Sequence, residues 1–486
     1  MSRINTNVAA LISTRILNAN NKSLNTSLER LSTGLRINRG SDDPAGLIAS
    51  ESLRQQIKGT NTAISNAERA INVIGTAEGA LGEINSMLVN LQGLLGEAAN
   101  SGGMSSEEIE ANQLQVDSIL NSIDRISNST EFEGVKLLNG NKAYTTSQVS
   151  ATYIDELNVN AAKLVDGATM TVTVTKTSAA DTGKLYLSGP GTGVSAMTVR
   201  IGSGRGTTEL TFANSTSLTN IVTSINSVRE ITGISAVLSS NNITATLRSV
   251  DFGSSAYSSV EILSGPTTGS DSVALQTAAS GSANSSAKDY GVDARATVNG
   301  TSATADGKKL TIRTAMLDAE MILDATAALS TADWSSSFYI TGGGANFALG
   351  ASVDVIGMES IGLLNVASTA LGNPTDGYLN TLKSGGANAL TSSNLTTAQR
   401  IVNDAVKDIS KLRGRLGSFQ QNTLETTINS LSVTAENLSA AESAIRDTDF
   451  ASETSNLTRT QILVQAATSV LAQANYSPQN ILSLLG

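Results

Sequence analysis

The sequence predicts an α+β protein: a long α-helical coiled-coil or bundle rod formed by both termini, with a mostly β outer region inserted between them. Three observations predict it. Apolar residues recur at seven-residue intervals near both ends of the chain. Each terminal pattern is broken once, at 38–40 and again at 446–450. Between them, residues 141–392 turn rich in Ser, Thr, Gly and Ala, and alternation replaces the heptad.

In the first zone Leu17, Leu24 and Leu31 sit seven apart, with Leu28 and Leu35 at the matching position between them. Asn38 to Gly40 interrupt this run. Asp42, Asp43 and Pro44 then form a hinge with a helix restart: the Asp43 carboxylate can accept first-turn amides, and proline loses no needed bond at the first helical position. Ile57, Ile64 and Ile71 recur every seven residues, and Ile74, Leu81, Leu88 and Leu95 take over the seam. A helix from Pro44 to Ala99 is roughly 80 Å long. Gly75, Gly79, Gly82, Gly93 and Gly96 each weaken it by about 1 kcal/mol relative to alanine, so it expects closely packed neighbours. Ser105 and Glu108 have capping-box spacing for the next helix, whose stripe runs through Ile109, Val116, Ile119, Ile123 and Ile126. The short connection makes that helix antiparallel to its predecessor.

In the second zone TMTVTVTKT (169–177) alternates strictly, as a half-buried strand does, and AMTVRIG (196–202) and ITATLRSV (243–250) read similarly. SLTNIVTSINSV (217–228) instead spaces Leu218, Ile221, Val222 and Ile225 helically. The third zone mirrors the first. Thr396 and Gln399 repeat the capping-box spacing, Val402, Ile409, Leu412, Leu416 and Phe419 make a seam, and Leu424, Leu431, Leu438 and Ile445 continue it. RDTDF (446–450) breaks the run. Phe450, Leu457, Val464 and Leu471 follow seven apart, and Asn475 to Pro478 should stop the helix.

Composition narrows the function. Aromatics are 3% of the 486 residues, so cohesion rests on small aliphatic side chains. A net charge of -10 argues against nucleic acid as a partner. There is no histidine, which removes the commonest general base and a major metal ligand, and no catalytic motif stands in its place. The reading is therefore no enzyme, no cofactor and no metal. With no cysteine, the chain unfolds without a reduction step. The N-terminus is too polar for a cleaved secretory signal, and no apolar stretch reaches a membrane span.

The arrangement resembles bacterial flagellin, the subunit of the flagellar filament. The residues that carry the likeness are RINTNVAAL, LSTGLRINRGSDDPAGLIAS, FEGVKLLNG, LRGRLGSFQ, AENLSAAESAIRDTDFASETSNLTRTQILVQA and SPQNILSLLG. Residues 209–263 resemble a small hook-like motif found in flagellin insertions. The resemblance implies a division into 1–43 and 448–486 as the two parts of an inner coiled-coil domain, 44–140 and 393–447 as the rod, and 141–392 as a variable surface region. Leu17, Leu24, Leu28, Leu31, Leu35, Phe450, Leu457, Val464 and Leu471 would form the coiled-coil assembly interface. It implies a homo-oligomer that self-assembles into a hollow filament acting as a propeller. It further implies export through the flagellar apparatus to the cell exterior, with an export chaperone, filament cap and hook-associated proteins as partners and no membrane.

Family members are also ligands of a Toll-like innate immune receptor. Where receptor-binding members read LQRVRELAVQSAN this chain reads LVNLQGLLGEAAN (88–100), so Asn90 replaces an arginine and Gln115 a helpful glutamate, while Leu88 and Leu94 persist. Weak or absent receptor activation is expected. Two alternatives stay open on sequence: a hook–filament junction protein, and a surface adhesin using the β-rich middle.

Overall fold

The computed structural model describes residues 6–100, 103–164, 168–189, 194–240, 242–265, 274–277, 285–352, 354–392 and 394–482. Its helices in order are α1 (Val8–Thr33), α2 (Pro44–Ala98), α3 (Ser106–Ser129), α4 (Leu218–Ser227), α5 (Arg229–Thr232), α6 (Ala325–Leu329), α7 (Leu395–Phe419), α8 (Thr426–Arg446) and α9 (Phe450–Leu482). A π-helical turn, Gln420–Glu425, joins α7 to α8. The chain divides into two compact units: residues 1–68, 348–353 and 423–486 form one, and 69–347 with 354–422 the other.

The larger unit carries the buried helical core. Along α2 the fully buried positions are Ala63, Ala67, Ala70, Ile74, Ala77, Leu81, Ile84, Leu88, Leu91, Leu95 and Ala98, a continuous alternation of four- and three-residue steps. Ala63 and Ala67 belong to the smaller unit, and the stripe from Ala70 on to the larger one. Ile57, Ile64 and Ile71 are only half-buried, so the early seam runs through alanines rather than through them. On α3, Val116, Leu120 and Ile123 are buried, and on α7 Ile401, Val402, Ile409, Leu412 and Leu416. Gly75, Gly79, Gly82, Gly93 and Gly96 of α2 would have no neighbour within 4 Å of an added Cβ, so nothing among the described residues packs closely against those five.

The capping box of α3 is present: Glu108 N–H donates to Ser105 Oγ at 3.2 Å, and Ser105 N–H to the Glu108 carboxylate at 2.8 Å. The matching box expected at Thr396 and Gln399 does not form. Helix α7 begins at Leu395 with Asn394 at the cap, which puts Thr396 inside the first turn, and the Gln399 amide donates to Asn403 instead.

α3 also holds an irregular segment through polar groups. Gln113 donates to Leu382 O at 2.9 Å and accepts from Leu390 N–H at 2.7 Å, both buried. Asp117 accepts from Ser384 N–H, and Asp124 from Ser368 N–H and Oγ and from Lys383. Each loses hydration, yet the donors outweigh that loss and hold both carboxyls below their ordinary pKa.

The β region has two cores. In the first, a five-stranded sheet (order Thr301–Ser302, Arg295–Val298, Met170–Ser178, Trp334–Gly343, Tyr144–Ser147) accompanies a four-stranded one (Thr304–Asp306, Lys309–Arg313, Leu317–Leu323, Ile154–Ala162). Val172, Val174, Phe338, Ile340, Ala319 and Met321 fill it. Lys176, at an inward position of the alternating strand, is buried and donates to Ser330 O at 2.8 Å, just past the C-terminus of α6.

The second core lies in a module inserted between two directly paired strands, since Arg295 lies opposite Ser178. Two four-stranded sheets enclose Leu187, Ile201, Leu247 and Val260 with α4, whose Leu218, Ile221, Val222 and Ile225 all point inward. Strands Met197–Gly202 and Thr244–Ser249 and helix α4 fall where alternation and spacing predict them. Residues 209–263 belong to this module.

Candidate assembly site

In the terminal unit α1 and α9 lie against one another. Asn7 caps α1 by accepting from Ala10 N–H at 3.0 Å, and Gly34 ends it in the left-handed region (φ +74°), its N–H donating to Arg30 O. Leu35 therefore lies past the helix rather than on it. It bridges Asp447 in antiparallel fashion, with Arg36 N–H donating to Arg446 O at 2.7 Å and Thr448 N–H to Gly34 O at 2.9 Å. The stretch just past α1 thus meets the 446–450 interruption through an isolated antiparallel bridge.

The hinge residues close the next loop. Asp42 accepts from the backbone amides of Arg39 and Asn38, bonds that lower its pKa. Asp43 accepts from Gly46 N–H at 2.9 Å and so caps α2, with Pro44 first in the helix. A Cβ on Gly46 would come within 2.5 Å of the Asp43 carboxylate and 2.7 Å of the buried Ile37, which explains a glycine in this first turn. Asp449 caps α9 in the same way through Ala451 and Ser452 N–H.

The seam between α1 and α9 is built from two interleaved heptads. Leu17, Leu24 and Leu31 alternate with Ser13, Asn20 and Ser27; on α9, Leu457, Val464 and Leu471 alternate with Glu453, Thr460, Ala467 and Ala474. The small and polar set includes the most buried members, Ser13, Ser27, Glu453 and Ala467, while the leucines and valine are half-buried. Small side chains let the backbones approach, and Asn20 Nδ2 reaches Leu463 O at 3.3 Å. Glu453 faces Arg30 at 3.6 Å, a polar pair that fixes register in an otherwise permissive seam.

Leu28 and Phe450 lie off this seam, 47% and 55% exposed, so the position matching Leu24 and Leu31 belongs to Ser27. Sequence reading by leucine spacing missed Ser13, Ser27, Asn7 and Glu453. The seven-residue spacing of Ser13, Asn20 and Ser27, and of Glu453, Thr460, Ala467 and Ala474, was the available signal; Asn7, six residues before Ser13, falls outside it.

Pro478 does not stop the last helix, which runs to Leu482. Proline has no N–H for the Ala474 carbonyl, and Asn7 Nδ2 donates to that carbonyl at 2.8 Å. The closing residues 483–486 lie outside the described residues.

What distinguishes the terminal pair is the apolar surface it leaves open. Val8, Leu11, Ile12 and Ile16 on α1 and Ile462, Leu463, Val470 and Tyr476 on α9 are all exposed. On α1 the spacing of Val8, Leu11, Ile12 and Ile16 puts them along one helix face. Of the residues aligned with receptor contacts, Asn90 and Gln115 are exposed and Leu94 is half-buried. Leu88 is fully buried in the larger unit's core, so it is no surface residue.

Comparison with known proteins fits this geometry. The family described as bacterial flagellin N-terminal helical region matches residues 4–143, and bacterial flagellin C-terminal helical region matches 399–485. Flagellin from Salmonella muenchen is 30% identical over 99% of both chains. Flagellin from Clostridium tyrobutyricum is 29% identical over 98% of this chain and 100% of that one, and flagellin from Salmonella choleraesuis 31% over 99% of both. The flagellar cap protein from Escherichia coli overlays 48% of this chain and 64% of that one at a TM-score of 0.27 and 14% identity, too loosely to argue from. Two terminal helical regions meeting across paired interruptions, a β-rich insertion and full-length relatives agree: the chain belongs to the bacterial flagellin family and is a structural subunit of the flagellar filament.

Proposed function

We propose that the open apolar rows of α1 and α9 are the surface through which copies of this filament subunit pack, the half-buried Leu17, Leu24, Leu31, Leu457, Val464 and Leu471 tightening as they do so. The observation that carries the reading is the exposure of Val8, Leu11, Ile12, Ile16, Ile462, Leu463 and Val470 on helices whose mutual seam buries fully only small or polar members and leaves its leucines half-buried. Covering each such side chain contributes about 1–2 kcal/mol, enough in sum to order a pair that holds little by itself. The Asp42–Asp43–Pro44 hinge sets where α1 ends and α2 restarts, and so fixes the register of the packed helices. The subunit works outside the cell in the flagellum, and an export apparatus, chaperone, cap and hook-associated proteins are its partners.

The test is seeded polymerisation followed by electron microscopy. The native chain should extend seeds into long uniform filaments, and Leu11→Ser with Ile462→Ser should remain monomeric while keeping native helix content. Filaments of native length from the double variant would refute the reading. The exposed Asn90 and Gln115 offer a receptor no charge, and Leu88 is withdrawn into the core, so a Toll-like receptor reporter should respond weakly or not at all.

A further inference from the structure

A cavity of about 260 Å³ lies inside the larger unit, lined by α7 (Asp408, Lys411, Arg415), by the strand Ile154–Ala162 (Glu156, Asn158, Asn160), by Glu320 and by residues of 364–371. We propose that this cavity is a proton-operated joint: a neutral Asp408 carboxyl tightens α7 against the sheet, and its ionisation loosens that contact.

The geometry rests on how the surrounding charges are committed. Lys309 pairs with Glu320 at 2.5 Å. Arg415 donates to the buried Asn160 and to Gly362 O. Glu156 accepts from Asn158 at 2.6 Å, and Asp404 is engaged by Asn373 and Lys407. The Asp408 side chain has no hydrogen bond or ion pair among the described residues. It faces Glu156 across the cavity and Asp404 one turn away on α7, with Lys411 and Lys309 as the opposing cations. Burial is the chief reason its carboxyl is pushed up to about 6; Lys411 opposes, Glu156 and Asp404 add to the rise, and Lys309 opposes again. Burial raises Glu156 as well.

A carboxyl whose folded pKa lies above its unfolded value of 3.8 binds its proton more tightly in the native state. Native stability therefore rises as pH falls through about 6, and is lost again as pH climbs back through it. Asp117 and Asp124, held below the ordinary range, stay ionised through this window and do not counter it.

The single tryptophan reports on the same unit, because Trp334 packs on the first β core and stacks on Tyr153 at 4.6 Å. Urea unfolding of the full chain, followed by Trp334 fluorescence at pH 5.0 and 7.5, tests the joint. The native midpoint should be higher at pH 5.0 by roughly half a molar urea. Asp408→Asn should raise the pH 7.5 midpoint and flatten the difference, and Glu156→Gln should shrink it. A native midpoint that is level or lower at pH 5.0 overturns the proposal. So does an undiminished difference in Glu156→Gln, a readout that stands even where Asp408→Asn does not fold.

Discussion

The two units use one sequence signal for opposite ends. In the larger unit heptad-spaced side chains vanish into a core: Ile74, Leu81, Ile84, Leu88, Leu91 and Ile123 are 0–1% exposed. In the terminal unit α8 buries no residue fully, and twelve large apolar side chains of α1, α2, α8 and α9 stay 44–74% exposed. The larger unit thus buries its heptad seam within one chain, whereas the terminal unit leaves much of its apolar pattern open, the surface proposed above for another copy. A heptad says that a helix wants a partner, and only burial says whether the partner is its own chain.

Truncating each class of side chain sharpens that contrast. Leu91→Ala should cost about 2–5 kcal/mol in monomer unfolding, because it opens a cavity in a packed seam. Ile462→Ala should change monomer stability by less than about 0.5 kcal/mol and yet slow filament growth, read by light scattering on seeds. Equal monomer costs would erase the distinction between the units. Gln113→Ala leaves the Leu390 amide and Leu382 carbonyl buried without partners, so about 1–3 kcal/mol should be lost, measured by urea unfolding. Acid acts on the same clamp. The lowered carboxyls of Asp117 and Asp124 contribute stability above their unfolded pKa, which is lost as pH falls through their folded values below 3.8. Asp124→Asn should flatten that acid limb of a Trp334-monitored pH titration. A modest effect belongs to the α1 C-cap: Gly34→Ala at φ +74° should cost about 1 kcal/mol, seen as earlier loss of helical circular dichroism on heating.

Much of this was legible in the sequence where period and chemistry agree. The Asp43–Pro44 restart, the Ser105–Glu108 capping box and the helical spacing inside 217–228 each encode one local geometry. Where two registers coexist, hydrophobicity misleads. Leu28 is more apolar than Ser27, yet Ser27 lies in the α1–α9 seam because close backbone approach excludes a large side chain there. On α2 likewise the buried positions fall to Ala63, Ala67 and Ala70 rather than to the larger Ile57 and Ile64. Pro478 looked like a stop because the carbonyl it frees, that of Ala474, is met by Asn7, 467 residues from Ala474 in sequence and invisible to any local window. The Gln113 and Asp124 clamp was unreadable too, since its partners are backbone groups of an irregular segment.

The most direct test of the terminal unit's open state is amide hydrogen exchange across monomer and filament. Amides of α1 and α9 should exchange quickly in the monomer and slow by orders of magnitude in the filament, while those of residues 74–95 and of α7 stay protected in both. Strong protection of α1 and α9 already in the monomer, unchanged on polymerisation, would contradict it.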